Sequence, residues 1–168
     1  MRSVGVEEEL LLVHARSGVP LALAGAVLAA ADRSAGQRPS GDGEPGHAFE
    51  KELQKEQVEF ATKPVTEMGE LGDEVTRCRA EAGRHAASAG ALVAALATSP
   101  LPANPSLNPG KRYAWLGEQF GLTAQEQLTC GCHVHVSVES DEEGVAVLDR
   151  IRPWLSVLAA MSANSPFW

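Results

Sequence analysis

Three consecutive glutamates inside an apolar, valine-rich segment constrain this chain more than any other feature. Residues 4–13 read Val-Gly-Val-Glu-Glu-Glu-Leu-Leu-Leu-Val, and β-branched residues at this density suit a strand. Side chains on a strand alternate faces, so Glu7 and Glu9 share one face with Gly5 and Leu11, while Glu8 shares the other with Val4 and Val6. Two carboxylates about 4 Å apart, at an effective dielectric of about 20, repel by about 4 kcal/mol. A facing pair on a buried strand therefore calls for a cation, and a hard divalent ion such as Mg²⁺ suits oxygen ligands. The alternative is an edge strand that carries Glu7 and Glu9 into water, with Glu8 guarding the edge against aggregation.

Composition narrows the partners. The 168 residues are 44% hydrophobic, enough for one globular domain spanning residues 1–168. The formal charge of -8 and pI near 5.1 argue against a nucleic-acid binder. A negative chain that handles an anionic nucleotide needs metal ions and local arginines to offset its own field. Cys78, Cys130 and Cys132 are odd in number and two of them are a single residue apart, which does not read as a disulfide framework. The apolar stretch 19–31 is too short for a membrane span and lacks the basic flank of a signal peptide. The expectation is a soluble, cytoplasmic protein with no membrane or nucleic-acid partner.

Along the chain, residues 14–18 are turn chemistry, and residues 20–32 read as a helix that Pro20 could begin. Residues 33–48 are rich in glycine and proline and read as a loop. A second strand is expected over 53–62, with Val58 and Phe60 on one face and Gln57, Glu59 and Ala61 on the other. The spacing of Leu71, Val75, Cys78, Ala82, Ala89, Leu92, Val93 and Leu96 predicts a long helix over 66–98, capped by Thr66. Residues 100–110 carry four prolines and form an irregular loop, and 113–120 form a short helix. A third strand covers 127–138, and a last helix covers 145–163, kinked or restarted at Pro153. This order predicts an α/β or α+β layer domain without internal repeats.

On a regular third strand, His133 and His135 share one face and Cys130 and Cys132 the opposite one, unless a bulge at Gly131 intervenes. A zinc site built from all four is disfavoured by that parity. The candidate ligands are Glu7, Glu9, Glu52, Glu59, His133 and His135. Carboxylates outnumber histidines, which favours Mg²⁺ or Mn²⁺ over zinc. Two or three such ions could bridge nucleotide phosphates and neutralise charge during phosphoryl transfer. No P-loop or Rossmann glycine pattern is present.

Four segments together carry a resemblance: Gly5-Val6-Glu7-Glu8-Glu9, Glu52-Leu53 with Gln57-Val58-Glu59, Cys130-Gly131-Cys132-His133-Val134-His135-Val136, and Ala163-Asn164-Ser165-Pro166-Phe167-Trp168. In this order they resemble the carboxylate-amine ligases, or glutamate-cysteine ligase type 2, within the glutamine synthetase superfamily. The resemblance implies an α+β fold, a mixed but mainly antiparallel sheet backed by helices. It also implies ATP-dependent phosphorylation of a carboxylate, glutamate-like, followed by attack of an amine such as cysteine to give an amide. Carried over by residue, Glu9, Glu52 and Glu59 would hold the ion nearer the substrate, and Glu7 and His133 the ion bridging ATP. Catalytic roles would fall to Glu9, Glu59 and His135, and Arg112 is a candidate nucleotide contact unless it and Tyr113 merely close a loop.

Members of that family are about twice as long as this chain, so the expectation is the amino-terminal half of a split ligase, completed by a complementary chain or by homo-oligomerisation, or else a fragment. A non-catalytic regulatory subunit paired with a complete homologue is the alternative, and a small Mg²⁺-dependent hydrolase with a histidine base is a third reading.

Overall fold

The computed structural model describes residues 1–36 and 49–163. One antiparallel sheet organises them. Its central strand, β1, is Val4–Val13. On one side β1 pairs with β3 (Gln57–Ala61), which pairs in turn with β2 (Phe49–Lys51). The other side of β1 is shared: β4 (Leu92–Ala94) pairs with residues 11–13, and β5 (Cys132–Val136) with residues 4–8. The strand of three glutamates is thus interior, and the edge-strand alternative is overturned. Its carboxylates are held in the middle of a hydrogen-bonded ladder.

One face of the sheet is closed by α1 (Ala24–Gly36) and α2 (Met68–Ser88). Leu10, Leu12, Val58 and Phe60 pack there against Ala24 and Val27 of α1 and Cys78, Ala82 and Ala86 of α2. Glu8 lies on this closed face, 5% exposed. It survives burial because Arg79 of α2 donates to both its oxygens, Nε at 2.7 Å and Nη2 at 2.6 Å. This bidentate, charge-assisted geometry is the strong form of an ion pair.

Several expected boundaries move, each for a local reason. The first helix starts at Ala24 rather than Pro20, because the turn after β1 folds residues 19–21 back on it: His14 N–H donates to Val19 O and Leu21 N–H to Leu12 O. That helix continues to Gly36, so residues 33–36 are not loop; the rest of the expected loop, 37–48, lies outside the described residues. The second strand shortens to 57–61, since the backbone at 53–56 is tied instead to the proline loop, with Lys55 N–H donating to Ser106 O and Asn108 N–H to Leu53 O.

The long helix expected over 66–98 ends at Ser88, and Glu67, not Thr66, stands at its start without a side-chain cap bond. Gly90 adopts φ +80°, Ala91 N–H reaches back to Ala86 O and Gly90 N–H to Ala87 O. That is a glycine-terminated C-cap, and it releases 92–94 to pair with β1 as an unforeseen strand. Further on, α3 is Lys111–Phe120 and α4 is Leu122–Glu126. The last helix begins early, as α5 (Asp141–Ile151), where Ser140 Oγ accepts from Glu143 N–H. The chain restarts after a 3₁₀ turn at Arg152–Trp154 containing Pro153, giving α6 (Leu155–Met161). No helix among the described residues is long and apolar enough to cross a membrane.

Candidate functional site

The second face of the sheet carries the remaining acids. Register sets them side by side: Glu9 of β1 stands opposite Glu59 of β3, and Glu7 opposite His133 of β5. Like charges placed directly across two strands are destabilising. At the Leu11 and Val13 end, this face is sealed by Leu128, Cys130, Ala94 and Ala103. At the Gly5 to Glu9 end it is open, and the acids line the opening.

Two ligand clusters result. Glu9, Glu52 and Glu59 each bring one carboxylate oxygen to a common point, all within 4.8 Å of one another. Glu7, His133 and His135 do the same with one oxygen and two ring nitrogens. In the second cluster His135 Nε2 lies 2.9 Å from Glu7 Oε2 and His133 Nδ1 lies 3.6 Å from it. His135, expected to face the site, therefore sits with Glu7 as closely as His133 does. The first cluster is an all-oxygen set suited to a hard ion such as Mg²⁺ or Mn²⁺, whereas the second, with two imidazoles, suits Mn²⁺ better than Mg²⁺.

Electrostatics supports the donor chemistry of the first cluster. Burial, then the charges of Glu52, Glu9, Glu7 and Glu50, push the Glu59 carboxyl up to about 7. Burial also raises Glu9, against the lowering effect of a hydrogen bond from the Gly131 backbone. Protein groups orient Glu9 firmly: its Oε2 accepts from Gly131 N–H at 3.0 Å and from Gln57 Nε2 at 3.0 Å. Gln57 is 3% exposed and donates as well to Thr129 O at 2.7 Å. Glu52 Oε2 accepts from Leu53 N–H at 2.6 Å. A cation between these acids would relieve the crowding that raises Glu59.

Gly131 explains how the two clusters come so close. A Cβ built there would lie 2.9 Å from His133 Nε2 and 3.4 Å from Glu9 Oε1. Only a residue without a side chain leaves His133 and Glu9 that room. The same stretch corrects the parity expected of the cysteines. Cys132 stands opposite Glu8, away from the histidines, but Cys130 precedes the regular strand and packs with Leu11 and Val13, 3.5 Å from Gln57 Nε2. Cys130 and Cys132 therefore do not share a face.

Two clefts flank the acids. One, about 260 Å³, is lined by Glu9, Glu52, Gln54, Gln57 and residues of α3 and α4 including Leu116 and Phe120. The other, about 300 Å³, is lined by Gly5, Glu7, Thr62, Pro64, His135 and Ser137. Arg112 is exposed in the first turn of α3 and lines neither of these two clefts. Tyr113 closes a loop by donating to Lys51 O at 2.9 Å. Gln54 and Gln57 are participants that sequence reasoning did not assign; the Gln57-Val58-Glu59 alternation held the signal, because it puts an amide on the same face as Glu59.

The fold is an α+β domain whose antiparallel sheet carries two clusters of potential metal ligands on one open face. The chain matches the profile of glutamate-cysteine ligase family 2 over residues 3–168 and belongs to that family. It is 62% identical to a protein of Streptomyces avermitilis provisionally named glutamate–cysteine ligase 2-1, over all of this chain and 44% of that protein. A provisionally named glutamate–cysteine ligase 2 of Streptomyces coelicolor is 59% identical, again with 44% of its length covered. In Paenarthrobacter aurescens a relative with the provisional name glutamate–cysteine ligase 2-3 is 51% identical, with 37% of its length covered. The chain thus spans less than half the length of the curated relatives it matches.

Proposed function

We propose that this chain supplies the metal-binding part of an ATP-dependent ligase that joins a glutamate-like carboxylate to an amine through an acyl phosphate. The observation that carries this reading is the pair of ligand clusters on one open sheet face, with Glu9 at the boundary between them. Glu9, Glu52 and Glu59 would hold one divalent ion and Glu7, His133 and His135 a second. Such ions supply charge neutralisation for phosphoryl transfer between ATP and the carboxylate. Gln57 and the Gly131 N–H fix the Glu9 carboxylate before any ligand arrives, which lowers the reorganisation needed in reaction. His135 lies within reach of a proton on a group held at Glu7, and Arg112 remains a candidate for nucleotide contact from the exposed first turn of α3.

Further polypeptide completes this site in the same reading. Support comes from the apolar surface of β5, α5 and α6. Val134, Leu148, Trp154 and Met161 are large apolar side chains between 63% and 73% exposed, and exposed apolar surface marks an interaction face where it is contiguous. The test is ATP turnover with glutamate and cysteine in Mg²⁺, on this chain alone and with its coexpressed genomic neighbours, reading amide and ADP together. Amide that disappears with Glu9→Ala supports the ligase. Phosphate release with no amide in any combination would favour a hydrolase and defeat the proposal.

A further inference from the structure

Glu9 and Glu59 are held in place by the sheet itself, since they face each other within the ladder of β1 and β3. Glu52, the third member of their cluster, lies between strands: β2 ends at Lys51 and β3 begins at Gln57. Its carboxylate is within 4.8 Å of the other two, and like charges this close push one another apart. Among the described residues, that carboxylate accepts from the N–H of its own neighbour Leu53, a bond that travels with the turn and does not anchor it. Whatever fixes the turn at 52–54 therefore fixes Glu52.

We propose that Asn108 is the positioning residue for Glu52, clamping the 52–54 turn so that the Glu52 carboxylate converges with Glu9 and Glu59 on one divalent ion. Asn108 lies in the proline loop and is 4% exposed. Its Nδ2 donates to Glu52 O at 2.8 Å and to Gln54 O at 3.1 Å, and its backbone N–H donates to Leu53 O at 2.9 Å. One residue thus holds three successive carbonyls. The side chain suits the task chemically, because a primary amide carries two N–H groups on one nitrogen, whereas Asn108→Asp would set an acceptor against two carbonyl oxygens. Pro109 adds to the constraint by disfavouring a helical backbone at Asn108. The other bonds of this loop fall further along the turn: Lys55 N–H donates to Ser106 O, and Ser106 donates to the Glu56 carboxylate through Oγ at 2.9 Å and N–H at 3.0 Å. The inference rests on the reading of Glu9, Glu52 and Glu59 as a metal site, and adds a residue that acts through the Glu52 backbone rather than as a ligand.

The test titrates Mg²⁺ into the whole chain without nucleotide, followed by backbone amide NMR shifts. Leu53 and Glu59 report the Glu52 cluster, and His135 reports the Glu7 cluster. Asn108→Ala should weaken the Mg²⁺ Kd read at Leu53 and Glu59 about tenfold, as loss of a group behind a metal ligand does, and leave the Kd read at His135 within about twofold. Glu52→Gln, which keeps a neutral oxygen donor, should weaken the first Kd by more. Adding Asn108→Ala to it should weaken binding no further, since nothing is left to position. Ser106→Ala separates positioning from loop stability: it removes the hydroxyl bond to Glu56 on the same loop, and should lower Tm while keeping the Mg²⁺ Kd. Asn108→Ser, small and still a donor, should give a smaller loss and serves where Asn108→Ala does not fold.

An unchanged Kd at Leu53 in the folded Asn108 variant, equal losses at both clusters, or single losses that multiply in the double variant would each overturn the inference. The underlying readings fail separately. A wild type in which Mg²⁺ shifts neither Leu53 nor Glu59 would remove the metal site and the role of Asn108 with it. The expected Mg²⁺ pattern without ATP-dependent amide in any chain combination would keep the role of Asn108 and reject the ligase.

Discussion

Replacing Glu59 by glutamine should stabilise the metal-free protein and abolish its stabilisation by metal, two effects of opposite sign from one substitution. Glu59 is raised from 4.5 to about 7 by burial and by neighbouring carboxylates. Between those pH values the folded chain binds more protons than the unfolded chain, so stability contributed at this position falls as pH rises through the window. A displacement of that size corresponds to about 3 kcal/mol at full effect. Glu59 is partly exposed, and solvent screening trims this to about 1–2 kcal/mol.

For a chain of this length that becomes a rise in Tm of about 2–8 °C for Glu59→Gln at pH 8 in chelator. Below pH 4.5 the carboxyl is protonated in both states and the advantage should vanish. Adding Mg²⁺ at about 100 times its Kd should then stabilise the wild type by about 2.7 kcal/mol and the variant far less. Thermal melts at pH 4 and pH 8, with chelator or Mg²⁺, contain all four comparisons. A fall in Tm for Glu59→Gln at pH 8 in chelator would refute the reasoning, since Glu59 would then be a stabilising solvated acid.

Other expectations address the remaining elements. Arg79→Ala should lower stability by about 2 kcal/mol, because Glu8 is left buried without its partner, and the exposure of Arg79 keeps the loss below that of a fully buried pair; chemical denaturation measures it. Gly131→Ala should weaken divalent-metal binding by about tenfold with little change in melting, because the new methyl displaces His133 rather than core, and calorimetric titration reads it. Mn²⁺ should broaden the ring resonances of both His133 and His135, and Glu7→Gln should restore them. Of the three thiols, Cys132 alone should react with a disulfide reagent in the native state. Cys78 and Cys130 are buried, with thiols pushed up to about 11 and about 12 respectively, which mass spectrometry after timed labelling resolves.

The alternation of Glu7 and Glu9 against Glu8, and of Glu59 against Val58 and Phe60, was readable because strand parity is a strict period of two. That period carried the acids to one face and brought Glu59 beside Glu9. Glu52 was readable through the resemblance rather than through periodicity, since it lies outside β3. What escaped were features decided by contacts distant in sequence. Residues 92–94 look like the end of an apolar helix, and only the left-handed Gly90 and the free side of β1 make them a strand. The partner of Glu8 was equally hidden, because Arg79 lies one position from the core-facing Cys78 and nothing local marks it as turned toward the sheet. Cys130 misled for a related reason: parity holds only inside a regular strand, and the ladder between β5 and β1 begins at Cys132.

The three adjacent glutamates show why a charge count alone does not locate a site. Glu8 is the most buried of them, 5% exposed, yet the fold answers it completely with a guanidinium from α2. Glu7 and Glu9 are less buried, but their neighbours across the strands are a histidine and another glutamate. Burial therefore does not mark the candidate metal ligands. The distinction lies in whether the protein itself supplies the opposing charge. On the helix-covered face it does, and the pair holds α2 on the sheet. On the open face Glu59 feels four other carboxylates, and the groups that hold Glu9, the Gly131 N–H and the Gln57 amide, are neutral dipoles. Neutral dipoles orient a carboxylate without cancelling its charge, which leaves that charge available to an incoming cation.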